Sequence, residues 1–398
     1  MGFMNMNIKI NNNFNNISES YLFSDINKRV KEYKKNHPKC DIIRLGIGDV
    51  TLPLPSIVVD AMIKASKEMG IKETFRGYPP EYGYDFLKEA VLKYYKNNSV
   101  DLNMDDIFIS DGAKSDLGNI VDILGDNDIY IPNPVYPVYV DSNIMSGRKI
   151  HYLSGTEENN FLPLSDELDN NPKVIYLCSP NNPTGATYNY DELSKWVEYA
   201  YNSGSLIIFD SAYEAFITDG SPRSIYQIPN AKYVAIEISS LSKMSGFTGI
   251  RCGFTIIPEE LEVNGTKLNK LWKRRQATKF NGVSYPVQRA AEAALSMDGI
   301  LECKKNLAIY KRNTKMLCEL LDEKGIWYSG GINSPYIWMK CPNGMKSFEF
   351  FDFLLGKANI VGTPGVGFGA NGEGYFRLTS FASNEDTKKA VERLRKIL

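Results

Sequence analysis

At 398 residues, 43% hydrophobic and 23% charged, the chain has the size and composition of a globular protein with more than one sizeable core. Its 46 basic and 47 acidic residues leave a net charge of -1, so no global imbalance favours nucleic acid or an acidic membrane surface. Two histidines outside any motif (His37, His151) give a His-ligated metal or a Ser-His-Asp hydrolase nothing to work with, and six cysteines without a CxxC pair read as reduced thiols.

Residues 1–17 lack the features of a signal peptide and, being asparagine-rich, read as a mobile arm. No apolar run reaches the ~20 residues of a membrane span, so a soluble cytoplasmic protein is expected. Helical spacing predicts helices over 56–70, with Ser56 as the cap, and over 83–98 and 189–204. Continuously apolar runs at 106–110, 128–132, 173–179, 205–210 and 232–239 predict strands buried on both faces. The alternation predicts an α/β large domain with a mostly parallel central sheet flanked by helices. The basic run "KLWKRRQATKF" (270–280) is read as a solvated or partner-facing helix. A long helical stretch over 287–325 then leads into a smaller α+β domain. The boundaries expected are an arm at 1–17, an N-terminal segment at 18–50 joining the small domain, a large domain at 51–290 and a small domain at 291–398.

Ligands of open α/β sheets sit beyond the carboxyl ends of the strands, so the polar residues there are the candidates. Gly112-Ala113-Lys114 opens a helix whose amides suit a phosphate, though many strand-to-helix turns use glycine. Tyr136 is placed to stack on a planar ligand or to pack within its own Pro-rich turn. Asn182 sits in the turn "SPNNPTG". Asp210 ends an apolar run, where a carboxylate either needs a cation or caps a helix, and Tyr213 follows it. Lys243 follows strand 232–239 among small residues, with Ser240 and Arg251 able to hold a phosphate beside it. An amine near cations and out of water has a depressed pKa and can attack an aldehyde. Together these parts describe a pyridoxal 5′-phosphate site: Lys243 on the aldehyde, Ser240, Arg251 and the Ala113 amides on the phosphate, Tyr136 on the ring face, Asp210 at the ring nitrogen, and Asn182 and Tyr213 at the phenolic oxygen.

From about residue 20 onward the chain resembles the fold type I pyridoxal phosphate enzymes of the aspartate aminotransferase class. Its longer pieces, "GFTGIRCGF", "LNKLWKRRQATKFNGVSYPVQRAAEA" and "TPGVGFGANGEGYFR", resemble the LL-diaminopimelate aminotransferase branch. The resemblance implies transamination between an amino acid and a 2-oxo acid, LL-2,6-diaminopimelate and 2-oxoglutarate within that branch, by a homodimer with shared sites and no metal, nucleic-acid or membrane partner. It also implies Lys243 as Schiff-base lysine and proton shuttle, with Asp210 and Tyr213 as its catalytic companions, and Arg377 as the clamp on the substrate α-carboxylate. Tyr21, Gly48, Lys114, Tyr136 and Asn182 are implied at the substrate. Tyr78, Glu81 and Asn281 are implied to come from the partner subunit, Glu81 facing the distal ammonium and Tyr78 and Asn281 also touching the cofactor. Tyr82 and Ser239 depart from the residues common in that branch, a glutamine and an arginine, and "GRKIHYLSGTEENNF" (147–161) is shorter than the usual segment there, which implies a trimmed surface loop. Other amino donors, β-elimination and a non-catalytic regulator are the alternatives.

Overall fold

The computed structural model describes residues 8–17, 22–46 and 48–398. A seven-stranded sheet is built from β1 (Ile107–Ser110), β2 (Ile129–Asn133), β3 (Ile150–Ser154), β4 (Val174–Cys178), β5 (Leu206–Asp210), β6 (Ala235–Ser240) and β7 (Gly253–Ile256), in the order β1-β7-β6-β5-β4-β2-β3. Pairing is parallel from β6 through to β3, and only β7 runs antiparallel to its neighbours. Side chains alternate between the two faces of a strand, so each strand feeds two cores. Ile175, Leu177, Ile207 and Phe209 enter one core with Val91, Trp196 and Ala290. Val174, Tyr176, Leu206 and Ile208 enter the other with Leu117, Tyr139 and Trp272. Burial on both sides is why these segments read as unbroken apolar runs.

The edge strand β3 corrects the expectation of a surface loop at 147–161. Ile150–Ser154 pairs with β2 residue for residue, but only Leu153 is buried, so its sequence carries little of the strand signature. Two helix expectations also change. Ser56 is the first helical residue, after Pro55, and its hydroxyl lies 3.2 Å from Glu302 instead of capping the helix. The stretch 287–325 is divided into helices Tyr285–Leu295 and Met297–Glu323, because the Ser296 hydroxyl accepts the Gly299 N–H at 3.0 Å and starts a new helix.

A second, four-stranded antiparallel sheet contains Tyr328–Gly330, Tyr336–Lys340, Tyr375–Thr379 and Thr363–Pro364. The N-terminal segment joins the core beneath it: Ile43 pairs with Ile360, and Ile26, Val30 and Leu45 pack with Leu317, Phe350 and Phe376. Within the asparagine-rich arm, Asn12–Asn16 forms one 3-10 turn, and Asn11 donates to the Met145 carbonyl at 2.9 Å. The basic run lies on the helix Leu268–Lys279, where Lys273 pairs with Asp105 and both Arg275 and Lys279 pair with Asp122. No described helix is long and apolar enough to cross a membrane.

Candidate active site

Strands β1, β4, β5 and β6 end at Ser110, Cys178, Asp210 and Ser240, all at one edge of the sheet. Because β7 is antiparallel, its first residue, Gly253, pairs with Ser110 and Ser240, and Arg251 therefore enters at the same edge. A cavity of about 580 Å³ opens there. It is lined by Gly48, Ala113, Lys114, Tyr136, Asn182, Asp210, Tyr213, Ser240, Lys243, Arg251 and Arg377, all expected from the sequence. Tyr21 lies outside the described residues. Tyr78 (89% exposed), Glu81 and Asn281 do not line this cavity within one chain. They sit on two adjoining segments, where a Cβ at Gly282 would come 2.6 Å from the Pro80 carbonyl.

One end of the cavity is cationic. The Arg251 guanidinium donates to the Ser242 hydroxyl at 3.1 Å, and the Ser240 hydroxyl donates to the same oxygen at 2.9 Å. Arg251 itself has φ +64°, a conformation costly for a side-chain-bearing residue and one that aims the guanidinium at Gly112. Gly112 has φ +131°, and a Cβ there would overlap the Arg251 guanidinium, so glycine is required on both counts.

Lys243 lies on the four-residue helix Leu241–Met244. Its Nζ donates to the Gly48 carbonyl and lies 5.5 Å from the Phe381 ring centroid. Burial lowers its pKa to about 8, Arg377 and Arg251 push the same way, and Asp49 opposes them. At neutral pH roughly a tenth of such amines carry a lone pair, far more than for a free lysine.

The opposite end carries Asp210, buried at the tip of β5. Its two oxygens accept the Tyr139 hydroxyl at 2.6 Å and the Ala212 N–H at 2.9 Å. Burial raises its pKa while those two bonds pull it down. Among the described residues no cation pairs with it, so its charge is available to a positive group placed in the cavity. Tyr139 stacks on Tyr176 and meets Tyr136 edge-on, with centroids 5.9 Å apart.

The second sheet closes the cavity. Arg377, 1% exposed, lies within strand Tyr375–Thr379 between Trp338 and Thr363 on the adjacent strands. It donates to Asn182 Oδ1 at 2.6 Å and to the Gly46 carbonyl at 2.7 Å, and its guanidinium carbon lies 4.5 Å from the Tyr336 ring centroid. Tyr336 shares a 2.6 Å hydrogen bond with Tyr213, and a Cβ at Gly48 would come 2.7 Å from its hydroxyl. Tyr139, Ser242 and Tyr336 were not anticipated. Tyr139 is one helical turn beyond Tyr136 and Ser242 is next to Lys243, so both had a positional signal. Tyr336, the first residue of an apolar strand, had none.

A lysine at the carboxyl edge of a mixed sheet, with a second sheet closing over it, defines the type I transferase fold. The profile of the family "Aminotransferase class I and II" matches residues 40–394, and the chain belongs to that family. The LL-diaminopimelate aminotransferase of Bacteroides thetaiotaomicron is 50% identical, covering 97% of this chain and 98% of that protein. The protein of the same name from Methanosphaera stadtmanae is 49% identical over 98% and 100% of the two chains. Among solved structures, L,L-diaminopimelate aminotransferase from Chlamydomonas reinhardtii superposes with a TM-score of 0.93 at 37% identity, covering 98% of this chain and 99% of that one.

Proposed function

We propose that this aminotransferase uses pyridoxal 5′-phosphate to move the amino group of LL-2,6-diaminopimelate to 2-oxoglutarate. The substrate reading is carried by the full-length relatives of that name at about half identity. The cofactor reading is supported by the donor set of the cavity. A buried carboxylate without a cation faces one end, a cluster of Arg251, Ser240 and Ser242 the other, and an amine of lowered pKa lies between them. These residues fit a ring with a protonated nitrogen, an aldehyde and a phosphate.

When bound, the cofactor withdraws electrons from the substrate α-carbon. Asp210 holds the proton on the ring nitrogen, and Tyr139 fixes the rotamer of Asp210. Ser240, Ser242, Arg251 and the amides at Ala113 and Lys114 would hold the phosphate, Tyr136 would cover one ring face, and Asn182 and Tyr213 would meet the phenolic oxygen. Arg377 binds the α-carboxylate, with Gly48 beside it. Lys243 Nζ takes the α-proton and passes it on, as a base whose pKa is close to the working pH. Tyr78, Glu81 and Asn281 of the partner subunit complete the pocket in a homodimer, where Glu81 receives the distal ammonium. Residues 51–290 form the large domain, and 18–50 with 291–398 the small one, a division supported by the pairing of Ile43 with Ile360. Six unpaired cysteines support a reducing cytoplasm.

The test is glutamate formation from 2-oxoglutarate with LL- or meso-diaminopimelate as donor. Turnover with the LL isomer, and little with the meso isomer, is expected. Turnover with aspartate and none with diaminopimelate would remove the substrate reading and leave the reaction class.

A further inference from the structure

Behind the layer that carries Lys243 lies a second cavity of about 580 Å³, a size ordinary for small-molecule sites. The two cavities share a wall: Met244, which lines the second, directly follows Lys243, which lines the first. Its floor includes buried Leu295 and Leu307, and beside them Met297 and Leu301 are 73% and 55% exposed on the helix Met297–Glu323.

Charge sets this cavity apart from an ordinary apolar crevice. Lys93, Arg223, Lys304 and Lys311 line it, and no carboxylate does. Glu214, just outside the lining, pairs with Arg223 at 2.6 Å, which leaves three lysines without an ion pair among the described residues. Lysines on a convex helix face are simply solvated, but these converge on a concave apolar surface. Lys311 is half-buried, and burial together with Arg223 lowers its pKa, so its charge is held at a cost that an anion would offset. Asn97 and Thr218 add hydrogen-bonding groups.

We propose that this second cavity binds a free amphipathic carboxylate, an acyl or aryl acid whose apolar body rests on Leu295 and Leu307 while its carboxylate meets Lys304 and Lys311. The assignment does not depend on which amino acid the first cavity takes.

Isothermal titration calorimetry of the holoenzyme with octanoate, octan-1-ol and octylammonium tests it, with octanoate expected to bind once per chain. Octanol is expected to bind about tenfold more weakly and octylammonium not at all, because a charge-assisted hydrogen bond is lost or reversed. K311Q is expected to weaken octanoate about tenfold. A308W, which fills the cavity from an exposed helical position, is expected to abolish binding while leaving transamination intact. Glutamate at saturation of the first cavity should not displace octanoate. No saturable octanoate binding up to about 10 mM, equal binding by K311Q and A308W, or displacement by glutamate would overturn the proposal. So would binding to vesicles of anionic phospholipid without binding of octanoate, since the ligand would then be a bilayer.

Discussion

The two sheets supply the first cavity in different ways. The seven-stranded sheet delivers its groups at or just beyond strand ends, Asp210 closing β5 and Tyr213, Asn182 and Lys243 following within four residues of a strand. The four-stranded sheet delivers Arg377 from inside a strand, with a ladder partner on either side, and Tyr336 from the first residue of its strand, paired with Thr379. Groups past a strand end can approach a ligand and reorient, which suits a base that must carry a proton. A guanidinium held between two paired strands cannot drift, which suits a clamp that fixes substrate geometry. The first kind of site tolerates motion, and the second depends on its absence.

The sharpest way to break that contrast is Lys243→Ala. Turnover should fall by about 10⁴-fold or more, with the visible absorption of the bound cofactor changed and the melting temperature close to wild type. Retained turnover would place the base elsewhere. Next comes Arg377→Ala, which should lower kcat/KM by about 10²–10³-fold, mostly through KM. Arg377→Lys should recover only part of this, since one ammonium cannot repeat two parallel hydrogen bonds, and full recovery would show that charge without fixed geometry is enough. Asp210→Asn removes the charge but keeps the shape, and a loss of about 10²-fold in kcat with KM little changed is expected from steady-state rates.

The smallest effects probe support. Tyr336→Phe deletes one hydroxyl bonded to Tyr213 and should cost about 1 kcal/mol, a several-fold change in kcat that a melting curve would not register as unfolding. Stability of cofactor-free protein should also depend on pH through Lys243. Its folded pKa, about 8, lies below the ordinary lysine value of 10.5, so the unfolded chain binds more protons between those values. The resulting penalty, at most about 3 kcal/mol, is fully present below pH 8 and disappears as pH rises toward 10.5. Lys243→Met should therefore melt higher than wild type at pH 7, and the gap should close by pH 10. A gap independent of pH would mean that the amine is not desolvated.

Much of the first cavity was legible because its residues interrupt strong patterns. Asp210 ends an apolar run where a carboxylate is conspicuous, and Ser240, Lys243 and Arg251 follow another such run. Gly112 opens a helix after a strand. Tyr139 was hidden because a tyrosine one turn into a helix reads as core, and its packing on Tyr176 shows that it is partly that. Tyr336 was hidden for a similar reason, as one aromatic in an apolar strand. Strand β3 and the break at Ser296 were missed because a half-exposed edge strand and a serine between two helical patterns give weak local signals.

Periodicity and punctuation by themselves determined the α/β alternation, the buried strands and the polar residues that terminate them, because burial and turn geometry act over a few residues. Only the tertiary structure decided that β7 runs antiparallel and brings Arg251 to the same edge as Lys243, that Arg377 reaches Asn182 from another sheet, and that three lysines from two distant helices surround a second cavity. Those relations join segments tens to hundreds of residues apart. They arise from how whole layers pack, which no local pattern encodes.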